Sequence, residues 1–227
     1  MEKKELLSKY NEKKSEIKKR LQDFKNLSEN EHIHEAIFCL LTPQSQAKKC
    51  WEAVVQIQKF FSPELWDAQR NRSFSDMKEI SQESLNKNLI SSCLSTKTRF
   101  HNNKTKYILK LRNNWQEIKQ KIQDETKNNN IIQLRNWLAD NILGLGMKEA
   151  SHFLRNIGKS NNQIAILDRH ILRNLKELKI IKDIPTLNKK NYLILEDKFK
   201  SFSKKINIPI DELDLLFWSE ENGSIFK

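Results

Sequence analysis

Residues 143–158, LGLGMKEASHFLRNIG, contain the feature that decides the fold of this chain. Gly144 and Gly146 stand between two stretches whose apolar residues recur with a helical period. Because glycine allows positive φ and a close approach of backbones, this pair favours a tight turn. A helix that starts near Gly146 begins with unpaired amide groups, which bind anions. Residues 131–158 are therefore predicted to form two helices joined by a phosphate-binding turn.

Other glycine motifs do not fit this stretch. A dinucleotide-binding fingerprint needs a third glycine where Glu149 stands, and it needs a preceding strand that the pattern lacks. A P-loop needs a different spacing between its first glycine and its Gly-Lys-Ser/Thr triplet. A turn of purely structural importance remains the alternative, since turns between helices often contain glycine.

The charge balance indicates a nucleic-acid partner. The chain of 227 residues has 41 Lys and Arg against 29 Asp and Glu, a net charge of +12. On so basic a chain the natural phosphate is that of a nucleic acid backbone. No apolar run approaches the ~20 residues of a membrane span, and no signal-peptide pattern is visible. We therefore expect no membrane partner, and a cytoplasmic protein that works at the nucleoid.

The composition also favours an all-α chain. Four glycines and four prolines are too few for the many turns of an all-β protein. The three cysteines form no CxxC pair, so a disulfide framework, a zinc site and a four-cysteine iron–sulfur cluster are not expected. Apolar periodicity predicts helices over residues 1–25, 32–41, 43–61, 77–94, 103–123, 131–142, 169–178, 192–206 and 209–221.

A lysine and an aspartate near the glycine turn are candidates for catalysis. Lys148 lies in the first turn of its helix, where the positive end of the helix dipole disfavours the charged form. A neutral lysine amine is a nucleophile that forms Schiff bases. Asp168 follows a short apolar run and is predicted to be the N-cap of helix 169–178, which keeps its carboxylate ionised. An ordinary cap is the alternative for Asp168.

The run GMKEASHFLRN followed by LDRHI resembles the helix–hairpin–helix DNA glycosylases. It is most similar to their second-class 8-oxoguanine DNA glycosylase/AP lyase family of bacteria and archaea. Weaker similarity extends to residues 40–46, to residues 99–108 and to the C-terminus. Compared with that family, the segment between Lys148 and Asp168 is slightly longer, which lengthens the loop at 159–163. The iron–sulfur cysteines of endonuclease III relatives are missing, and this favours the 8-oxoguanine branch.

The resemblance implies an all-α helix–hairpin–helix DNA glycosylase fold with two helical subdomains and a catalytic cleft between them. We expect a single glycosylase unit over 1–227. One subdomain would combine residues 1–45 with 180–227. The other would be 46–179 and would contain the helix–hairpin–helix at 131–158.

The resemblance also implies the chemistry. Lys148 would attack C1′ of a flipped 8-oxoguanine nucleotide, and Asp168 would stabilise positive charge on the sugar and assist proton transfer. The resulting Schiff base would undergo β-elimination and nick the strand at the AP site. We expect double-stranded DNA containing 8-oxoguanine as the partner, a monomer, no cofactor and no metal.

Base recognition is expected at the C-terminus and at one aromatic residue. The carboxylate and side chain of Lys227 would lie near the base, where a carboxylate accepts hydrogen bonds from guanine N–H groups. Trp218 would stack on one face of the base and Phe100 on the other. The alternatives are a core position for Trp218, since its neighbours are apolar, and a frayed tail for Lys227.

Residues expected at the DNA backbone and in the duplex are scattered along the chain. Gln44 would wedge into the gap left by the flipped base, with a polar residue at a helix start as the alternative. The backbone contacts are expected from Gly144, Gly146, Arg99, Lys104 and His170, the last with a structural role as its alternative. Arg99 and Lys104 belong to a basic run over 97–112 that a solvated helix face would also explain.

Two other functions remain open. A glycosylase of the same superfamily would act on another damaged or mismatched base. A non-catalytic DNA-binding protein would use the same glycine turn for phosphate contacts alone. The pairing of Lys148 with Asp168 argues against the second, because a binding module needs no nucleophile.

Overall fold

A computed structural model describes residues 3–60 and 78–226 of the chain. All regular elements of these residues are helical, and no strand occurs among them, which confirms the predicted all-α class. The helices are α1 (Lys3–Lys25), a short 3-10 helix (Glu29–Glu31), α2 (His32–Leu41), α3 (Ala47–Phe60), α4 (Lys78–Ser95), α5 (His101–Asn113), α6 (Trp115–Lys127), α7 (Ile131–Asn141), α8 (Met147–Asn156), α9 (Arg169–Glu177), α10 (Lys189–Ile206) and α11 (Ile210–Asn222).

Two predicted helices have different limits in the structure. The single helix expected over 103–123 is divided at Asn114, whose φ of −102° and ψ of 6° leave the helical region. Asparagine favours such breaks because its short polar side chain competes for backbone groups. Pro43, expected in the first turn of the third helix, lies before α3 in a turn that the Ser45 N–H closes on the Thr42 carbonyl. The predicted end of this helix at Phe61 lies outside the described residues.

The chain divides into two compact units. The first comprises Met1–Leu27, Ile122–Asn141 and Leu145–Lys227, and the second comprises Ser28–Lys121 and Ile142–Gly144.

This division differs from the predicted subdomains, because helices α8 and α9 group with both ends of the chain. Helix α1 packs on α8 and α11, and α9 packs on α11. Their apolar side chains form one core that includes Leu6, Ile17, Leu172, Leu195 and Leu216. Burial of these faces in one core therefore decides the grouping.

The second unit is built around α2. Every residue of this helix is buried, and it packs against α3 and α5, while α4 packs against the same two helices. The ring of Phe38 meets the ring of Trp51 edge to face at 5.8 Å between centroids. A helix that is buried on all sides, such as α2, forms the centre of its unit.

The loop at 159–163 is fixed to the start of α11. Ser160 Oγ donates a hydrogen bond to Asp211 Oδ2 at 2.7 Å, and the Asn162 backbone N–H donates to the same oxygen at 3.2 Å. The extra length predicted here therefore forms an anchored loop. None of the helices in the described part of the chain is long and apolar enough to cross a membrane.

Candidate active site

The turn between α7 and α8 needs glycine at its first corner, Gly144, for two reasons. Gly144 has φ of +91°, a conformation that other residues rarely adopt. A Cβ at this position would lie 2.4 Å from Cδ2 of Tyr107, which is closer than any real contact. The turn predicted at Gly144 is therefore present, and it is tight because the Tyr107 ring packs directly on the backbone.

Gly146 is the N-cap of α8 and has an ordinary extended backbone, with φ of −86° and ψ of −175°. Its carbonyl accepts the first helical hydrogen bond, from Ala150 N–H at 2.9 Å. The first amides of α8 have no partner within the helix and lie at its positive end, which favours an anion. A Cβ on Gly146 would approach Glu149 Oε2 to 3.1 Å, so glycine makes room for this carboxylate.

The candidate nucleophile is held by a neighbour that the sequence analysis did not identify. The Lys148 side chain is 26% exposed, and its Nζ lies 2.9 Å from Oε1 of Glu149. Glu149 occupies the third position of α8, from which an acidic side chain folds back toward the N-cap. An acidic residue three positions after the helix cap is the pattern that would identify Glu149 from the sequence.

Asp168 caps α9, as predicted. Its Oδ1 accepts a hydrogen bond from the Ile171 backbone N–H at 2.8 Å, and its backbone is extended, with φ of −90° and ψ of −179°. The side chain is half-buried. The cap fixes one carboxylate oxygen and sets the direction of the other.

The segment before Asp168 is fixed by two side chains of α10. Ala165 N–H donates to Glu196 Oε1 at 2.7 Å. The Tyr192 hydroxyl donates to the Ala165 carbonyl at 2.6 Å and accepts from Leu167 N–H at 3.3 Å. Burial raises the pKa of Tyr192, so its hydroxyl keeps the proton that it donates. The backbone hydrogen bonds of Ala165 and Leu167 thus attach the apolar run 164–167 to α10.

The same carboxylate connects this segment to the helix–hairpin–helix. Arg135 of α7 forms a two-pronged ion pair with Glu196, with both N–O distances at 3.0 Å and side-chain exposures of 0% and 2%. Arg135 also donates to Ser151 Oγ of α8 at 3.2 Å. One buried network therefore holds α8, the helix that carries Lys148, and the segment that ends at Asp168.

A buried acidic group lies close to Asp168. Burial, with a smaller contribution from the charges of Asp168 and Asp211, raises the pKa of Asp214 to about 7. Arg155 opposes this shift, because its Nη2 lies 3.3 Å from Asp214 Oδ2. Asp168 therefore has a buried carboxyl group as a neighbour.

The expected base-recognition residues of α11 and the tail are only partly described. Trp218 is half-buried, and its ring stacks on that of Phe226, with 6.3 Å between centroids and 29° between planes. Its neighbours Leu215, Leu216 and Phe217 are fully buried, so Trp218 stands at the edge of the core. The stacking role of Trp218 stays a prediction, and Lys227 lies outside the described residues.

Phe100, in the second unit, has an unusual conformation and exposure. It precedes α5 with φ of 58°, in the left-handed region, and 56% of the residue is exposed. The Arg99 guanidinium lies 5.9 Å from its ring centroid. A non-glycine residue at positive φ with an exposed ring is typical of a binding position. Its stacking role remains a prediction.

Gln44, also in the second unit, stands in a turn at φ of 54°. Its neighbours Pro43 and Ser45 both contact the ammonium of Lys104. The polar helix start that was the alternative does not occur here, because α3 begins at Ala47. The role of Gln44 as a wedge is not tested by this geometry.

Lys104 is not an exposed phosphate ligand, in contrast to the prediction. It is 3% exposed, and its Nζ donates to the carbonyls of Leu41 at 2.7 Å and Pro43 at 3.0 Å, and to Ser45 Oγ at 3.0 Å. An ammonium has three donors, and these acceptors fill them. Lys104 therefore holds the turn that carries Gln44, while Arg99 of the same basic run remains exposed.

His170 lies beside the end of α11. Its Nδ1 is 3.2 Å from Glu221 Oε2, and both side chains are about one-third exposed. In the described part of the chain, no group of three His, Cys, Asp or Glu side chains is arranged to hold a metal ion.

The structure groups the predicted residues into two sets. Lys148, Asp168, His170 and Trp218 belong to the first unit, together with Gly146. The second unit contains a different set of predicted residues: Gln44, Arg99, Phe100, Lys104 and Gly144.

Comparisons with known proteins agree along nearly the whole chain. The profile of the 8-oxoguanine DNA glycosylase family matches residues 17–71 and 65–208. An 8-oxoguanine DNA glycosylase/AP lyase of Fusobacterium nucleatum is 40% identical over 225 residues, which cover 96% of this chain and 94% of that protein.

Solved structures give the same result. The crystal structure of the 8-oxoguanine DNA glycosylase of Thermotoga maritima has a TM-score of 0.74 at 26% identity, covering 99% of this chain and 97% of that one. The Methanocaldococcus jannaschii 8-oxoguanine glycosylase/lyase, in complex with a 15mer DNA containing 8-oxoguanine, has a TM-score of 0.71 at 32% identity, covering 98% and 99%. This chain belongs to the 8-oxoguanine DNA glycosylase family.

Proposed function

We propose that this protein excises 8-oxoguanine from double-stranded DNA and then cleaves the strand at the abasic site. The observation that carries the proposal is the pairing of Lys148, at the start of α8, with Asp168, the cap of α9, through one buried network. The names of the relatives, and the 8-oxoguanine DNA bound by one solved neighbour, support the choice of substrate.

The first chemical step is substitution at the sugar. The neutral amine of Lys148 attacks C1′ while the bond from C1′ to the base nitrogen breaks, and the base leaves with that electron pair and takes up a proton. Before it attacks, the lysine must lose a proton. The Glu149 carboxylate is a suitable acceptor because it lies 2.9 Å from Lys148 Nζ.

The second step opens the sugar and breaks the strand. Ring opening converts the amine adduct at C1′ into a Schiff base with Lys148. Loss of a proton from C2′ then expels the 3′ oxygen with its phosphate, which is β-elimination. Hydrolysis of the Schiff base frees the lysine.

Asp168 has an electrostatic role in this scheme. As the C1′–base bond breaks, positive charge develops on the sugar ring, and a fixed carboxylate stabilises it. The hydrogen bond from Ile171 N–H to Oδ1 fixes the carboxylate without neutralising it. Asp168 thus supplies charge that is already oriented before the reaction begins.

The DNA backbone is proposed to meet the open amides at the start of α8, and Arg99 of the basic run. These groups neutralise phosphate without reading sequence. The flipped nucleotide is proposed to meet the aromatic rings of Phe100 and Trp218. We propose that the protein works as a monomer on chromosomal DNA, since all of the proposed groups come from one chain.

Borohydride trapping tests this function. Borohydride reduces a Schiff base to a stable secondary amine, so a duplex with one 8-oxoguanine should become covalently attached to the protein. Undamaged and thymine-glycol duplexes are the controls for substrate. Lys148→Gln, which keeps the length of the side chain nearly unchanged but removes the amine, is the control for the nucleophile.

Each outcome of the trapping experiment separates two functions. An adduct with 8-oxoguanine alone, absent in Lys148→Gln, is the expected result. An adduct only with thymine glycol would assign the protein to another lesion. Tight DNA binding without any adduct would favour a non-catalytic DNA-binding protein.

A further inference from the structure

We propose that Arg20 is a positioning residue for substrate selection: it holds the C-terminal tail, residues 223–226, as one wall of the site beside Asp168. The inference rests on the function proposed above. It concerns a residue on α1, a helix that carries none of the proposed catalytic groups.

The tail begins next to the candidate catalytic carboxylate. Glu221, in the last turn of α11, has its Oε2 3.2 Å from Nδ1 of His170. His170 lies in the first turn of α9, which Asp168 caps. The end of α11 and the capped start of α9 are therefore neighbours, and the tail leaves α11 at this place.

Gly223 turns the chain away from the helix. Its φ is +73°, and its N–H donates to the Ser219 carbonyl at 2.8 Å, which ends α11. A Cβ at Gly223 would meet nothing within 4 Å, so glycine is present for its conformation and not for space. Gly223 alone thus sets the direction in which the tail leaves α11.

Two contacts on one residue then hold the tail. Arg20 Nε donates a hydrogen bond of 2.6 Å to the Phe226 carbonyl. The Phe226 ring stacks on Trp218. Chain ends usually fray unless they are attached, and a hydrogen bond from a guanidinium is stronger than one between neutral groups. Arg20 therefore supplies a charge-assisted hydrogen bond that holds this segment, together with the stacking of Phe226 on Trp218.

Arg20 is itself on a firm support. The Tyr10 hydroxyl donates to Glu212, and Nζ of Lys9 and of Lys13 lie 2.7 Å and 2.6 Å from the Glu220 carboxylate, so several contacts hold α1 against α11. The Arg20 guanidinium also lies 4.4 Å above the Phe24 ring. This support fixes the guanidinium before it meets the tail.

The consequence is a separation of base selection from strand cleavage. A wall formed by the tail affects a nucleotide that still carries its base. Elimination at an abasic site involves no base, so it does not need the tail in place. Loosening the tail should therefore reduce the excision of 8-oxoguanine and leave cleavage of a preformed abasic site unchanged.

The test compares these two activities in Arg20→Met, Arg20→Lys and the control Lys19→Met, which alters an exposed lysine next to Arg20 on α1. Single-turnover rates are measured on an 8-oxoguanine duplex and on a duplex with a preformed abasic site. Arg20→Met is expected to slow excision about tenfold or more, as for a lost hydrogen bond to a charged group. Abasic-site cleavage should stay within about twofold, and Arg20→Lys should be intermediate, since a lysine can still donate to the carbonyl.

Two results would overturn the inference. One is an excision rate in Arg20→Met equal to that of Lys19→Met. The other is a parallel loss of both activities, which would make Arg20 a general structural residue. If Arg20→Met does not fold, Arg20→Lys takes its place. A larger loss of excision than of abasic-site cleavage supports the inference, and equal losses overturn it. A wild-type protein that leaves 8-oxoguanine in place contradicts the proposed function itself and is seen before any variant is compared.

Discussion

Nζ of Lys148 lies 2.9 Å from Oε1 of Glu149, the next residue of α8. Adjacent residues on a helix do not normally face each other, so this contact depends on Glu149 folding back toward the helix start. Gly146 leaves the space for that fold. The proposed nucleophile therefore lies beside a carboxylate that is oriented at the same turn that is proposed to bind phosphate.

Glu149→Gln is expected to slow excision of 8-oxoguanine without weakening DNA binding. The amide keeps the size of the side chain but takes no proton, and general-base catalysis is worth about 10²–10⁴-fold. The measurements are a single-turnover excision rate and a DNA dissociation constant for the same variant. Glu16→Gln, an exposed glutamate on α1, is the matched control. Wild-type excision by Glu149→Gln would exclude Glu149 as the acceptor.

Breaking the Arg135–Glu196 pair is expected to destabilise the fold strongly. Either Arg135→Met or Glu196→Gln leaves its partner buried and uncompensated, which costs about 3–5 kcal/mol. Urea unfolding measures the loss. The exposed pair of Lys189 and Asp140 gives the control, because Asp140→Asn should change the unfolding free energy by about 1 kcal/mol or less. Equal effects of the buried and exposed variants would contradict the role of the network.

Lys104→Met is expected to loosen the turn around Gln44. The variant leaves the carbonyls of Leu41 and Pro43 without the ammonium, a loss of about 1–3 kcal/mol for unsatisfied buried groups. Hydrogen exchange at the Ser45 amide, which closes this turn, should become faster. Lys106→Met, at an exposed position of the same helix, should leave that exchange unchanged.

The local features of the site could be predicted from the sequence because they depend on neighbours along the chain. The turn at Gly144, the helix that begins after Gly146 and the cap at Asp168 are each decided by a few consecutive residues. The apolar period predicts the helices. It does not predict the division at Asn114, because the apolar stripe continues on both sides of this one polar residue.

The long-range contacts could not be predicted, since nothing in a sequence states which distant residues meet. Arg135 and Glu196 are both of a type usually found at the surface, and only the tertiary fold places their ion pair inside. Lys104 was assigned to a basic stripe because its charge matches its neighbours. Its helix turns it inward, away from the exposed Lys106.

Stability should fall as the pH rises through the pKa of Asp214. Burial raises the pKa of Asp214 to about 7, whereas an unfolded aspartate titrates near 3.9. Between these values the folded state binds a proton that the unfolded state has lost. The unfolding free energy therefore decreases with pH in this window, by at most about 1.4 kcal/mol per pH unit, and the contribution is constant above it.

Asp214→Asn isolates this contribution. The variant removes the titrating group, so its unfolding free energy should change less with pH between 4 and 7 than that of the wild type. Asp211, whose pKa burial also raises, titrates in both proteins and cancels in the comparison. Asp214→Asn also removes the ion-pair partner of Arg155. This loss shifts the whole curve of unfolding free energy against pH but does not change its slope. Identical slopes for the two proteins would contradict the assignment.

The two glycines of the turn should respond differently to alanine. Gly144→Ala forces a side chain into positive φ, which costs about 1–3 kcal/mol, and it adds a collision with the Tyr107 ring. Gly146→Ala has an allowed backbone, and its Cβ meets only the flexible end of Glu149 at 3.1 Å. The expected loss is about 1 kcal/mol, for an alanine at an N-cap.

The excision rate per folded molecule should follow the opposite order. It should fall more in Gly146→Ala than in Gly144→Ala. Gly146→Ala displaces the Glu149 carboxylate from Lys148 and should slow excision in a protein that remains folded. Gly144→Ala should mainly lower the urea midpoint, with excision per folded molecule closer to that of the wild type. Urea unfolding and single-turnover excision on both variants make the comparison. If Gly146→Ala excises at the wild-type rate, catalysis does not need the space beside Gly146. The Glu149 carboxylate is then oriented without that space.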